Sequence, residues 1–348
     1  MNKAALLERE AASRILITDG AYGTQFQNLA LSEADYRGTL DLARDQKGNH
    51  DLLALTRPDA LTAVTAAYLK AGADIVSTNT FNANAISQAD YGAQHLVGAI
   101  NIAAASIARG LADRFCAQDD KPRFVAGALG PTNKTLSLSP DVNDPGHREI
   151  DFDTLRSVYR EQVEALLEGG VDFILIETIF DTLNAKAAIM AVEEAGEARG
   201  QPVPVMLSMT ITDLSGRNLS GHTVEAFWHS VRHARPLSVG LNCSFGAAQL
   251  DAPLKALAQV ADCLILAYPN AGLPNALGGY DETPGETAAQ LRAWAQAGTV
   301  NMLGGCCGST PDHIAAIRAA VQDQAPRTLP RPAPRTRLAG LEPMVLAS

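Results

Sequence analysis

Eight short runs rich in Val, Ile and Leu recur along the chain, at residues 15–20, 74–80, 123–130, 172–178, 204–210, 237–243, 262–268 and 300–305. Each is nearly continuous in apolar character and ends in a small polar or glycine-containing cluster. A strand with one wet face would alternate; unbroken apolar runs of this length predict strands buried on both faces. The stretches between them carry helical spacing and helical punctuation. After Arg57, Pro58 suits a first helical position, Leu61, Val64, Tyr68 and Ala71 share one face, and Gly72 is a stop. Leu155, Val158, Tyr159, Gln162, Val163 and Leu166 form a second such face, closed by Gly169 and Gly170. Thr283-Pro284-Gly285-Glu286 has the form of a capping box before Leu291 and Trp294, and Thr310-Pro311 opens a last helix through Ile314, Ile317 and Val321.

Eight strand-then-helix units predict a (β/α)8 TIM barrel, an α/β fold whose active site lies at the C-terminal ends of the strands. A doubly wound open sheet is the alternative, but the first turn, Asp19-Gly20-Ala21-Tyr22-Gly23-Thr24, lacks its glycine fingerprint for a dinucleotide. Two stretches exceed the simple repeat, residues 28–56 after the first strand and 131–153 after the third. Long loops inside a compact domain are usually functional or disordered, and both follow a strand C-terminus. The barrel is expected to occupy residues 1–325. Residues 326–348, where Pro326, Pro330, Pro332 and Pro334 interleave with Arg327, Arg331 and Arg335, are expected to form a linker or tail, extended and outside the barrel.

Composition narrows the function class. The 348 residues are 47% hydrophobic, with 28 Lys plus Arg against 38 Asp plus Glu, a formal net charge of −10. So acidic a chain, without a basic stripe, has no footprint for nucleic acid. No apolar run reads as a membrane span, and the start of the chain, with Glu8, Arg9 and Glu10, is charged and amphipathic, unlike a signal peptide. The five cysteines are an odd number and are expected to be reduced thiols or metal ligands. The expectation is a cytoplasmic protein.

Three of those cysteines sit where a barrel keeps its site. Cys243 ends the sixth run in Gly240-Leu241-Asn242-Cys243, and Cys306 and Cys307 end the eighth in Gly304-Gly305-Cys306-Cys307-Gly308. Adjacent residues of a regular strand face opposite ways, so both thiols can serve one centre only if the chain leaves strand geometry; the flanking glycines supply that freedom. A vicinal pair is also compatible with core packing, a strained disulfide or a redox couple. The third cysteine at another strand end favours a metal, and zinc is the metal such a soft set selects. Three protein ligands leave the fourth tetrahedral position open. Three thiolates around a divalent ion leave net negative charge, which suits a fourth thiolate that must stay nucleophilic better than it suits generating hydroxide. Cys116 ends a helical run and Cys263 lies in an apolar strand, the usual home of a buried thiol. His229 and His233, flanked by Arg232 and Arg235, read as surface residues.

Two carboxylates join them. Glu177 emerges from the apolar run Ile174-Leu175-Ile176, and Asp19 stands in Thr18-Asp19-Gly20. Each is either ion-paired structurally or meets a cationic ligand, and its position favours the ligand. The turn after Asp19 offers backbone N–H groups that can hold a carboxylate. An amine grip, a carboxylate grip and a thiolate-accepting metal together describe an amino acid with a thiol side chain.

Up to Ala325 the chain resembles the homocysteine-binding domain of cobalamin-dependent methionine synthase. The matching runs include Leu16-Ile17-Thr18-Asp19-Gly20, Thr78-Asn79-Thr80-Phe81, Gly130-Pro131-Thr132-Asn133 and Ser139-Pro140-Asp141-Val142-Asn143-Asp144-Pro145. They continue in Phe180-Asp181-Thr182-Leu183-Asn184, in Pro269-Asn270-Ala271-Gly272-Leu273-Pro274-Asn275 and in both cysteine motifs. The cysteine pattern is shared with betaine- and S-methylmethionine-dependent homocysteine methyltransferases; the loop 130–145 and the run Lys47-Gly48-Asn49 with Asp51-Leu52-Leu53 look like the cobalamin-dependent branch. The resemblance implies that Cys243, Cys306 and Cys307 bind Zn2+, with homocysteine sulfur in the fourth place and Asn270 as a fourth ligand when substrate is absent. It implies that Glu177 receives the amino group, with Asp19, Gly20 and Thr78 around the amino-acid end. Tyr22 departs from the family, which usually carries Met there. The chain also lacks the family enzyme's corrinoid-ligand motif Asp-x-His-x-x-Gly. The implied donor is therefore methylcobalamin carried by a corrinoid-binding protein or module, giving methionine and cob(I)alamin. A stand-alone enzyme using betaine or S-methylmethionine is the alternative within the class, and a non-catalytic zinc- or thiol-binding module the alternative outside it.

Overall fold

The computed structural model describes residues 2–346. Its first eight strands are β1 (Leu16–Ile17), β2 (Ile75–Ser77), β3 (Phe124–Leu129), β4 (Phe173–Ile179), β5 (Val205–Met209), β6 (Ser238–Asn242), β7 (Leu264–Tyr268) and β8 (Met302–Leu303). All fall on the expected apolar runs. They pair in parallel, each with the next, β1 pairs with β8, and the parallel bridge Thr18–Ile75 joins β1 to β2, so the sheet closes on itself. A helix follows every strand, from Pro58–Ala71 after β1 to Pro311–Val321 after β8. The helix starts expected from sequence are formed: Pro58 and Pro311 open theirs, and Thr283 and Glu286 make a reciprocal capping box.

Alternation along the strands divides the core in two. Ile17, Val76, Ile174 and Leu207 belong to the layer between sheet and helices. Leu16, Ile75, Phe173, Leu175, Met206 and Leu266 fill the barrel interior. The helix Lys3–Ser13 closes the floor, burying Leu7 and Ala11 against that interior, and Arg14 fixes it through a bidentate pair with Asp74, 2.8 and 3.0 Å. One stretch departs from the sequence reading. Residues Gln94–Asp119 are long and apolar enough to pass for a membrane span on length and composition. The helix Val97–Asp119 within it turns Val97, Ile100, Ala104, Ala105, Ala108 and Leu111 into the fold, and its alanine-rich apolarity serves close packing on the barrel wall.

The tail is also more structured than its composition suggests. Arg327 is buried, and its guanidinium donates to the carbonyls of Ala258, Ala261 and Cys263, capping the end of the helix Ala247–Val260 and the turn into β7. Farther on, β9 (Arg337–Ala339) and β10 (Pro343–Val345) form an antiparallel hairpin on the helix Val224–Val231. Thr223 donates to the Leu341 carbonyl, 3.1 Å, and Arg217 pairs with Glu342, so the hairpin is tied to the loop after β5. An extended, proline-rich stretch can still dock. Arg327→Ala leaves three carbonyls without their charged donor, and urea unfolding is expected to show a loss of about 2 kcal/mol; an unchanged midpoint would mean the tail is detached in solution.

Candidate active site

At the C-terminal end of the barrel the inward-facing positions change from apolar to polar. Below lie Leu175, Met206 and Leu266; one inward step higher are Glu177, Ser208 and Tyr268, with Asn242 at the matching place on β6. The step is built partly by backbone irregularity. β4 gains one residue against β5 between Ile176 and Ile179, a bulge, and Thr178 within it has φ +55°. β6 ends at Asn242, and Cys243 and Ser244 follow with φ +62° and +59°. Left-handed backbone at residues with side chains costs roughly 1 kcal/mol or more and is retained where it aims a group. Asn242 bridges the two irregularities: it accepts from the Thr178 N–H at 3.1 Å and the Ser208 hydroxyl at 2.7 Å, and donates to the Thr178 hydroxyl at 2.8 Å.

The three thiols expected from sequence do converge. Cys243 Sγ and Cys306 Sγ each lie 4.0 Å from Cys307 Sγ, and the three sulfurs all fall within 4.8 Å of one another. Tetrahedral zinc with bonds of about 2.3 Å places its sulfurs roughly 3.8 Å apart, so the triangle fits such an ion. Cys306 and Cys307 are not in the strand; the chain leaves β8 at Leu303. The glycines around them work differently from one another. Only Gly308 has positive φ, +81°. Gly304 and Gly305 are needed for space: a Cβ would fall 1.8 Å from Thr18 Oγ1 at the first and 2.2 Å from Ser309 Oγ at the second. Asn270, expected as a fourth ligand, accepts from the Cys307 N–H at 3.1 Å through its side-chain oxygen, and Cys306 N–H donates to the Pro269 carbonyl at 2.8 Å. These bonds seat the vicinal pair on the end of β7. In the metal-free chain hydrogen bonds from Cys243 and Cys306, with a further contribution from Tyr280, push the Cys307 thiol down, while its two neighbours are pushed up.

Both carboxylates face this centre. Glu177 reaches across the mouth to accept from the Tyr268 hydroxyl, 3.1 Å away. Burial, with a smaller contribution from nearby Asp19 and Cys307, raises it to about 8. Asp19 accepts from the Ser77 backbone N–H at 2.6 Å and the Ser77 hydroxyl at 3.2 Å, yet burial still lifts it to about 7. Among the described residues neither forms an ion pair with Lys or Arg. Gly20 has no room for a side chain beside Tyr68 and the Ser309 carbonyl. Thr78 stands apart: its hydroxyl accepts from Ala128 N–H at 3.0 Å and meets Thr80 at 2.6 Å, so it is spent tying β2 to β3. Tyr22, at the family departure, lies against Thr65 and Tyr68 beside Asp19. Cys116 and Cys263 lie away from the thiol triangle, and burial pushes the Cys263 thiol up to about 12, an unreactive state. Sequence reasoning missed Tyr268, Ser208 and the bridging role of Asn242. Their signal was parity, since each sits on the inward phase of its strand one step above the apolar layer.

The family model for homocysteine S-methyltransferase matches residues 16–321, which hold the whole barrel and all three thiols. The chain belongs to the homocysteine S-methyltransferase family. Solved structures of the homocysteine methyltransferase MmuM from Escherichia coli share the family fold. The metallated form superposes with a TM-score of 0.69 at 24% identity, covering 90% of this chain and 98% of that one. The oxidised form gives 0.69 at 23% identity, covering 91% and 98%, and the apo form 0.64 at 22%, covering 91% and 98%.

Two outcomes follow for this homocysteine S-methyltransferase barrel. Metal analysis of the wild type is expected to return about one zinc per chain, and Cys307→Ala is expected to lose it while far-UV circular dichroism stays unchanged; full retention of metal would refute the ligand set. In metal-free protein, Glu177 raised to about 8 from 4.5 binds a proton in the folded state that the unfolded chain releases. Its contribution to stability is therefore complete below the unfolded value and lost as pH rises through 8, at up to about 1.4 kcal/mol per pH unit. Glu177→Gln should flatten the decline between pH 5 and 8 and be the more stable protein at pH 9; parallel profiles would mean that Glu177 is already ionised.

Proposed function

We propose that this chain is the homocysteine-activating module of a cobalamin-dependent methionine synthase, taking a methyl group from methylcobalamin on a corrinoid-binding partner and releasing methionine. The observation that carries the homocysteine part is the convergence of three thiols and two unpaired, desolvated carboxylates in one barrel mouth. Among the described residues no Lys or Arg pairs with either carboxylate. A thiophilic divalent ion and a substrate ammonium supply positive charge there, and a thiol amino acid brings the ammonium and the sulfur together. Zinc held by Cys243, Cys306 and Cys307 keeps a substrate thiol ionised at neutral pH, where a free thiol with a pKa of roughly 8.5 is mostly protonated.

The chain's own groups supply position and charge. Glu177, with one oxygen fixed by Tyr268, receives the ammonium, and that positive neighbour returns the carboxyl to its ionised form. Asp19, held by Ser77, and the turn at Gly20 frame the amino-acid end. The sulfur lone pair forms the new bond to the methyl carbon, and the electron pair of the breaking bond leaves with the donor. Thr78 enters this reading through the wall it braces at the end of β2, and Asn270 through the seat it gives Cys307. The corrinoid donor is supported by the loop 130–145, whose sequence resembles the cobalamin-dependent branch and which is folded onto the rim, Ser137 N–H donating to Asp181 at 2.9 Å and Leu136 N–H to Asn184 at 2.9 Å.

The deciding experiment incubates zinc-loaded protein and homocysteine with methylcobalamin, betaine or S-methylmethionine in turn. Methionine formed from methylcobalamin alone is the expected result. Turnover with either small donor and no corrinoid would instead make the chain a stand-alone enzyme, and homocysteine binding without transfer from any donor would leave a binding module.

A further inference from the structure

The two grips on the proposed substrate are held by one side chain. Glu177, at the amine end, precedes Thr178, and Asn242 precedes Cys243, at the sulfur end. Thr178 and Cys243 are both left-handed, with φ +55° and +62°. Asn242 is fully buried and makes three hydrogen bonds: Thr178 N–H to its oxygen at 3.1 Å, Ser208 hydroxyl to the same oxygen at 2.7 Å, and its own amide to the Thr178 hydroxyl at 2.8 Å. The reciprocal pair with Thr178 clamps the bulge of β4 to the end of β6, across the intervening β5. The β4–β5 ladder is interrupted at the bulge, and this clamp ties the bulge directly to the end of β6.

We infer that Asn242, through Thr178, is a positioning residue that sets the distance between the amine grip and the thiolate site and thereby selects a thiol amino acid of homocysteine's length over cysteine, which is one methylene shorter. The inference rests on the proposed roles of Glu177 and of the three cysteines. The clamp touches neither substrate nor metal. It acts on reach: with the bulge locked, an ammonium at Glu177 and a sulfur at the triangle must be a fixed span apart, and a shorter molecule can satisfy one grip at a time. Apolar contact alone separates ligands that differ by one methylene by about 10- to 200-fold, and a fixed span between two polar anchors adds to that.

Thr178→Ala removes the hydroxyl that Asn242 clamps while leaving the Thr178 N–H bond and every cysteine in place; Thr178→Ser restores the hydroxyl. Ser208→Ala is a gentler second variant that takes one donor from the Asn242 oxygen. Each full-length protein is loaded with zinc, its metal content and melting temperature are measured, and homocysteine and cysteine are titrated by calorimetry. Cobalt(II)-substituted protein provides a second readout, the thiolate-to-metal absorption as each ligand is added. The wild type is expected to prefer homocysteine, and Thr178→Ala to keep about one metal per chain but lose tenfold or more of that preference through weaker homocysteine binding. Thr178→Ser should recover the preference, and Ser208→Ala should shift it in the same direction by a smaller factor. An unchanged ratio in both alanine variants, or equal weakening of the two ligands, overturns the inference while leaving the proposed function standing. Failure of the zinc-loaded wild type to bind homocysteine overturns the proposed function, and the inference with it.

Discussion

The site is governed by buried acidic groups for which the described residues supply no Lys or Arg ion-pair partner. Glu177 and Asp19 are desolvated in the barrel mouth within electrostatic range of each other, and three thiols lie beside them. The charged form of each carboxyl is costly there, which is why they are lifted to about 8 and about 7, whereas hydrogen bonds from Cys243 and Cys306 push the Cys307 thiol down. A cavity of this kind is completed by cations from outside. The same groups that destabilise the empty barrel at neutral pH become the affinity for a divalent ion and an ammonium, so binding and stability draw on one term of opposite sign.

The rest of the architecture holds that arrangement still. An apolar interior closed below by the helix Lys3–Ser13 gives the strands a rigid base. The polar layer above it is not a random rim. Tyr268 crosses from β7 to Glu177, Ser77 holds Asp19, Asn242 joins β4 to β6, and Asn270 seats Cys307. Each of these is a side-chain hydrogen bond at the strand ends, made in addition to the ladder. Strain is stored at Thr178, Cys243 and Ser244, and the fully bonded neighbours are what retain it.

The docked tail adds a constraint of a different kind. Arg327 pins the chain at the end of the helix Ala247–Val260, and the hairpin of β9 and β10 is fastened to the loop after β5 through Thr223 and Arg217. A stretch that leaves the barrel's underside is thereby carried to the loops that surround the mouth.

Sequence alone determined the strands, because a strand buried on both faces must be apolar throughout and a closed parallel barrel offers no exposed face to break the run. It also determined which thiols and carboxylates stand at strand ends, since residue type and position in the repeat are both local facts. Three-dimensional structure decided what those residues meet. That Glu177 pairs with Tyr268, that Asn242 spans β4 and β6, and that Thr78 is spent in the wall are relations between distant segments set by barrel stagger, which no local pattern encodes. The glycines show the same division: that Gly304, Gly305 and Gly308 were needed was legible, but only packing reveals that the first two make room for Thr18 and Ser309 while the last alone turns the chain. The docking of the tail was hidden for the same reason, because Arg327 bonds to carbonyls freed at the end of a helix more than sixty residues earlier, and proline content carries no information about them.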